Sequence, residues 1–166
     1  QTHGPDGLRL VAEPVTGLSH ARRRGFAEAK GEIFVLVDDD NELAPGYLAE
    51  VLRLFAEHPR VGALGGRSLP EFESPPAAWV REFDGLLALR DPGREPLLST
   101  GLRHPATGRN EYPGFAPIGA GMALRRAAAQ AWLTGDSHTA LPDRQGRSLS
   151  SGGDNDIVLC AMAANW

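Results

Sequence analysis

Apolar and polar positions along the first 60 to 70 residues form blocks that predict strands and helices in turn. Residues 8–14 predict a short strand that ends before Pro14. A helix is predicted over 16–31, with Ser19 as its N-cap. Five consecutive apolar residues, Ile33–Val37, predict the next strand. Their continuous rather than alternating apolarity is typical of a strand buried on both faces in a parallel sheet.

The same alternation continues for one more helix and one more strand. A helix is predicted over 44–59, with one apolar face formed by Leu48, Val51, Leu52 and Phe55. The short apolar segment 61–66 predicts a strand. The order βαβαβ indicates an α/β fold with right-handed crossovers.

The second half of the chain is less regular. Residues 75–91 predict a helix with Trp79 and Phe83 facing inward. Residues 91–116 predict an irregular stretch, suited to a mobile lid or a binding loop. Residues 115–126 predict a strand that contains two glycines.

Two further helices are predicted near the end of the chain. Trp132 lies in the first, where helical spacing favours a core position over stacking on a sugar. The second covers 154–166 and begins with acidic residues, which suit the positive end of a helix dipole. Cys160 lies on a face of that helix and is expected in the core.

Composition and charge narrow the possible function classes. The 166 residues carry 17 basic and 21 acidic side chains, a net charge of −4, which gives no support for binding nucleic acid. A single cysteine excludes an intrachain disulfide, and no apolar run reaches the ~20 residues that span a bilayer. The first residues lack the features of a signal peptide. We therefore expect a cytoplasmic protein.

Three consecutive aspartates, Asp38–Asp40, follow the predicted strand at 33–37 and raise the question of a bound cation. A calcium loop of the EF-hand type needs glycine at its sixth position and glutamate at its twelfth. Leu43 and Ala49 occupy those positions, so this reading is disfavoured.

A second reading is a phosphohydrolase of the haloacid dehalogenase type. Asp38 and Asp40 resemble its nucleophile and its acid/base residue. That family also needs a cation, usually lysine, between its two acidic motifs, whereas Lys30, the sole lysine, precedes the first motif. An arginine can substitute for it, so this alternative stays open.

A third reading is a site for a sugar nucleotide. Hard cations such as Mg²⁺ and Mn²⁺ prefer oxygen ligands and bridge carboxylates to a diphosphate. Such a cation stabilises the negative charge that develops on a departing diphosphate. Carboxylates at the end of a strand lie where open α/β sheets bind their ligands.

Three segments in this order resemble a family 2 glycosyltransferase: residues 17–66, 118–130 and 151–166. The resemblance implies a GT-A fold, an incomplete Rossmann-like α/β/α sandwich with a mainly parallel sheet. It also implies one catalytic domain over residues 1–166 that lacks the N-terminal base-binding strands and the C-terminal end. We therefore expect weak or no turnover from this chain.

The resemblance also implies a reaction, namely metal-dependent, inverting transfer of a sugar from a nucleotide donor to an acceptor hydroxyl. The acceptor would be a glycan or another compound with a hydroxyl group, in glycan or polysaccharide synthesis, and the parent protein could associate peripherally with a membrane. A nucleotide- or metal-binding fragment without catalysis is the remaining alternative. The implied binding residues are Asp40 and Asp38 for Mn²⁺ or Mg²⁺, and Asp38, Asp39, Arg22, Gly119 and Gly121 for the nucleotide sugar.

The implied catalytic base is Asp154, with Asp156 as the alternative. A carboxylate here would take the proton from the acceptor hydroxyl. Gly153 stands where the family usually has glutamate, so an acidic neighbour of the base is missing from this segment.

Overall fold

The computed structural model describes residues 2–3, 8–99, 101–103, 106–135, 143 and 151–166. Within them lie five strands, four α-helices and one 3-10 helix at Ala78–Leu86. The strands are β1 (Thr2–His3), β2 (Arg9–Leu10), β3 (Ile33–Val35), β4 (Ala63–Leu64) and β5 (Ala123–Arg125). The helices are α1 (Leu18–Glu28), α2 (Tyr47–Glu57), α3 (Arg126–Thr134) and α4 (Gly153–Ala163).

The central sheet has the order β3-β5-β4, and both of its pairings are antiparallel. Phe34 pairs with Leu124 in one, and Ala63 pairs with Leu124 in the other. The strands β3 and β4 run in the same direction, as the βαβ pattern predicts, but β5 lies between them. The expected mainly parallel sheet is therefore wrong for the described strands, because a strand from much later in the chain enters at its centre.

Helices cover both faces of this sheet. On one face Leu124 packs in a buried cluster with residues of β3, α1, α3 and α4. On the other face Ala123 packs against Val51 and Phe55 of α2. Successive residues of a strand point to opposite faces, so β5 contributes to both clusters. This layering is the α/β arrangement that the sequence predicts.

Aromatic side chains fill the larger cluster. Phe26 of α1 stacks on Phe34 of β3 with ring centroids 4.9 Å apart, and meets Trp132 of α3 edge-on at 5.9 Å. Such contacts contribute beyond the apolar area that they bury. The core position predicted for Trp132 is confirmed, since its side chain is fully buried. Cys160 packs half-buried against the same cluster.

Other details of the predicted elements are wrong. Ser19 lies inside the first turn of α1 and is buried, and the N-cap is Gly17. Trp79 and Phe83 are 63% and 49% exposed and pack edge-on against each other. The reason is local: with three residues per turn, a 3-10 helix does not align positions four apart on one buried face.

The apolar face of α2 is narrower than predicted. Val51 and Phe55 are buried, whereas Leu48 and Leu52 are exposed.

In the described part of the chain, no helix combines the length and the apolarity needed to cross a bilayer.

Close packing around Gly62 gives a test of the fold. A Cβ on Gly62 would lie 2.5 Å from Cβ of Trp166 and 2.8 Å from Cβ of Ala128, so Gly62→Ala should lower the free energy of unfolding by about 1–3 kcal/mol. Gly25→Ala is the matched control. It lies within α1 with open space around it, and should stabilise the protein by up to about 1 kcal/mol. Urea unfolding measures both, and equal effects would contradict this packing.

Candidate functional site

The acidic turn, Asp38–Asp40, follows the carboxyl end of β3 and is exposed. The Asn41 backbone N–H donates to the carbonyl of Asp38 at 3.2 Å, and the Asn41 side-chain amide donates to Oδ1 of Asp40 at 3.2 Å. No ion pair among the described residues involves any of the three carboxylates. Their charge is thus available to a cation from solution.

A glycine-rich segment, residues 119–122, lies beside the end of β3. The Leu36 N–H donates to the carbonyl of Met122 at 2.8 Å, and the Gly121 N–H donates to the carbonyl of Leu36 at 3.0 Å. Gly121 has a φ of 85°, a left-handed conformation that favours glycine. The Tyr47 hydroxyl donates to the Gly121 carbonyl. The two backbone bonds join the segment to Leu36, which precedes the acidic turn by two residues in the sequence.

Asp154 joins the same edge of the sheet from α4. Its Oδ2 accepts the Gly119 N–H at 2.9 Å, and its Oδ1 accepts the Asn155 N–H at 2.9 Å. Asp154 is only partly buried. The glycine-rich segment therefore bonds both to Leu36, just before the acidic turn, and to Asp154.

Arg22 also lies in this site, and not on a solvated helix face. Its side chain is 9% exposed, and its Nη1 lies 3.2 Å from Oδ2 of Asp143. A Cβ built on Gly119 would be 2.5 Å from Nη2 of Arg22, so the guanidinium packs directly on that glycine. The ion pair seen here joins Arg22 to Asp143 rather than to the acidic turn. Sequence reasoning missed Asp143, because the polar stretch around it has no periodicity.

Asp156, the alternative base, points into the core. It is buried and accepts the indole N–H of Trp132 at 2.7 Å on Oδ2. Its Oδ1 lies 3.9 Å from Sγ of Cys160. A carboxylate engaged in this way is poorly placed to reach an acceptor hydroxyl, whereas Asp154 is only partly buried.

Tyr112 is a second residue that sequence reasoning missed. Its hydroxyl donates to Oδ1 of Asn155 at 2.9 Å. Burial raises the pKa of Tyr112 to about 12, the negative charge of Asp154 adds to this, and Arg90 opposes it. The residue lies in the irregular stretch 91–116, where no pattern singled it out. It places a neutral hydroxyl next to the start of α4.

A cavity of about 460 Å³ lies between α1 and β3 and reaches the acidic turn. Arg22 and Asp38 are among its lining residues, and its size suits a small-molecule ligand. A larger cavity of about 670 Å³ lies beside α2, β4 and residues 92–99. None of the predicted site residues lines it. The smaller cavity is therefore the one that adjoins the predicted site residues.

The acidic turn supplies some, but not all, of the oxygen ligands that a hard cation needs. Across the described ranges, no three histidine, cysteine or acidic side chains come together as a metal cage. Asp38 and Asp40 offer carboxylate oxygens, which Mg²⁺ and Mn²⁺ prefer. Magnesium sites commonly use one or two carboxylates and take their other ligands from water and substrate phosphates. The residues present fit a site of that kind.

Comparison with known proteins gives one match. The family model described as Glycosyl transferase family 2 matches residues 1–132 of the 166. The matched part contains the acidic turn, Arg22, Gly119 and Gly121, and it ends before Asp143, Asp154 and Asp156. No curated protein and no solved structure gives a significant match.

The buried contact of Asp156 predicts a structural role. Asp156→Ala removes the acceptor of the Trp132 indole N–H, and should lower the free energy of unfolding by about 1–3 kcal/mol. Asp156→Asn keeps an acceptor of similar shape and should cost less. Denaturant unfolding of the two variants measures this difference. An Ala variant as stable as the wild type would contradict the structural role.

The raised pKa of Tyr112 predicts a loss of stability at high pH. The folded protein keeps the tyrosine proton up to about pH 12, whereas the unfolded chain releases it near pH 10. The free energy of unfolding should thus fall as the pH rises between these values, and fall less steeply in Tyr112→Phe. Urea unfolding across this range measures both slopes. Burial also raises the pKa of Tyr47, so part of the fall should remain in Tyr112→Phe. The same slope in Tyr112→Phe and in the wild type would contradict the prediction.

Proposed function

Because the chain belongs to glycosyl transferase family 2, we propose that it takes part in transferring a sugar from a nucleotide-diphosphate donor to an acceptor hydroxyl, with inversion at the anomeric carbon. The acceptor would belong to a growing glycan or polysaccharide. One observation carries this proposal. The glycine-rich segment bonds to Leu36, between β3 and the acidic turn, on one side, and to the carboxylate of Asp154 on the other.

The acidic turn would bind the diphosphate end of the donor. Asp38 and Asp40 would hold Mg²⁺ or Mn²⁺, and Asp39 would contact the ribose or the donor sugar. When bound, the cation offsets the negative charge that develops on the departing diphosphate. Asp38 lines the cavity between α1 and β3, and this cavity offers the nucleotide a place next to the turn.

Asp154 would act as the general base. The Gly119 N–H orients its Oδ2, and the start of α4 holds its backbone. The acceptor oxygen would form a bond to the anomeric carbon as the bond from that carbon to the diphosphate oxygen breaks. The acceptor proton would pass to the Asp154 carboxylate. Attack from the face opposite the diphosphate requires base and acidic turn on different sides of the sugar, and the intervening glycine-rich segment supports that placement.

The phosphohydrolase alternative gains no support from the site. That chemistry needs a cation of the protein to hold the phosphoryl group near Asp38. Arg22 lines the same cavity as Asp38, but its guanidinium already pairs with the carboxylate of Asp143.

Metal-dependent nucleotide binding tests the proposed function. Calorimetric titration of UDP and then GDP should show binding in the presence of Mn²⁺ and little without it. Asp40→Asn should weaken that binding by at least about tenfold, since a ligand of the cation is lost. Nucleotide binding that is equally strong without Mn²⁺, or in Asp40→Asn, would contradict the metal role.

Two matched variants sharpen this titration. Glu42→Gln removes an exposed acid just past the turn and should bind like the wild type. Asp154→Asn keeps an acceptor for the Gly119 N–H and should also retain binding, because the base acts only in the chemical step. If Asp40→Asn, Glu42→Gln and Asp154→Asn all lost binding, the nucleotide would depend on the total negative charge of this region rather than on the acidic turn.

A further inference from the structure

We propose that Asp143 is a positioning residue of this site, whose carboxylate holds the Arg22 guanidinium against Gly119 and beside Asp154. The catalytic meaning of this arrangement rests on the proposed function. The arrangement itself follows from the contacts of four residues that the chain brings together from distant positions.

The first contact is a buried ion pair. The side chains of Arg22 and Asp143 are 9% and 3% exposed, and Nη1 of Arg22 lies 3.2 Å from Oδ2 of Asp143. Buried charges are costly unless an opposite charge lies close by. Removing the carboxylate would leave the guanidinium without this counter-charge. The ion pair would then no longer hold the Arg22 side chain in its position.

The second contact explains how the carboxylate fits. A Cβ built on Gly153 would overlap Oδ2 of Asp143, and would lie 3.0 Å from Oγ of Ser19. Gly152 has a φ of 132°, which favours glycine, but Gly153 has no such left-handed φ. Glycine at 153 therefore provides space rather than conformational freedom, and the Asp143 carboxylate fills that space.

The third contact carries the effect to Asp154. The ideal Cβ position of Gly119 lies 2.5 Å from Nη2 of Arg22 and 3.7 Å from Cβ of Asp154. The N–H of the same glycine donates to Oδ2 of Asp154. Arg22 thus packs on the residue that orients the proposed base. Displacing Arg22 would loosen the hydrogen bond between Gly119 and Asp154.

Amide hydrogen exchange tests this arrangement in the chain as it is, without any substrate. In Asp143→Asn, exchange of the Gly119 amide should accelerate by at least about tenfold, while exchange of the buried Ala129 amide in α3 changes by less than about twofold. Gly153→Ala should have the same local effect, because its Cβ would displace the carboxylate without removing the charge. It also serves as the test if Asp143→Asn does not fold.

A swap of the acid between the two positions provides the rescue. Asp143→Ala combined with Gly153→Asp supplies a carboxylate from α4 into the same space, and should return Gly119 exchange to within about threefold of the wild-type rate. Unchanged Gly119 exchange in Asp143→Asn, equal acceleration of Gly119 and Ala129, or no recovery in the swap would each overturn the proposal.

The same variants separate this inference from the proposed function. Titration of UDP with Mn²⁺ reports on the acidic turn, whereas Gly119 exchange reports on Arg22 and Asp154. Absence of nucleotide binding in the wild type, together with the expected exchange pattern, would count against the transferase and leave the positioning role of Asp143 in place.

Discussion

The burial of β5 at the centre of the sheet is the constraint on which the rest of the structure depends. Ala123 and Leu124 are fully buried and face the two opposite clusters, while the strand pairs with β3 on one side and β4 on the other. The segment that precedes β5 connects the sheet to the site. The glycine-rich segment leads into β5, so the same pairing that completes the sheet brings Gly119 to the end of β3.

Two arginines at the junction of β5 and α3 bind the carbonyl groups of neighbouring elements. Arg125 donates to the carbonyls of Val61 and Phe55, and lies 4.6 Å above the Phe55 ring. Arg126 donates to the carbonyls of Ala29 and Gly31. Charged side chains that satisfy carbonyl groups at the ends of helices compensate for bonds that the helices leave open. The end of the sheet away from the acidic turn, where Arg125 pairs with Ile33, is therefore held by hydrogen bonds as well as by apolar packing.

The acidic residues of the site occupy three different environments. The acidic turn is exposed, Asp154 is partly buried with two backbone donors, and Asp143 and Asp156 are buried with a specific partner each. Because burial raises the cost of a charge, only the first two environments leave oxygens ready for a ligand. Asp143 pairs with Arg22, and Asp156 accepts the indole N–H of Trp132. Gly153 is consistent with these environments. Its segment lacks the acidic residue that the family usually has there, and the carboxylate of Asp143, from another part of the chain, lies next to Gly153.

The sequence by itself determined the alternation of helices and strands, the core position of Trp132 and the family, because these depend on local patterns of apolar residues and on short motifs. It also pointed to the acidic turn, Arg22, Gly119 and Asp154 as parts of one site, and the described contacts are compatible with that grouping. Only the tertiary structure decided the antiparallel insertion of β5, the exposure of Trp79, the different surroundings of Asp154 and Asp156, and the place of Asp143. The physical reason is that strand pairing and the burial of a charge depend on residues far apart in the chain. Phe34 of β3 pairs with Leu124 of β5, and Arg22 and Asp143 are 121 residues apart. No local pattern records such a contact.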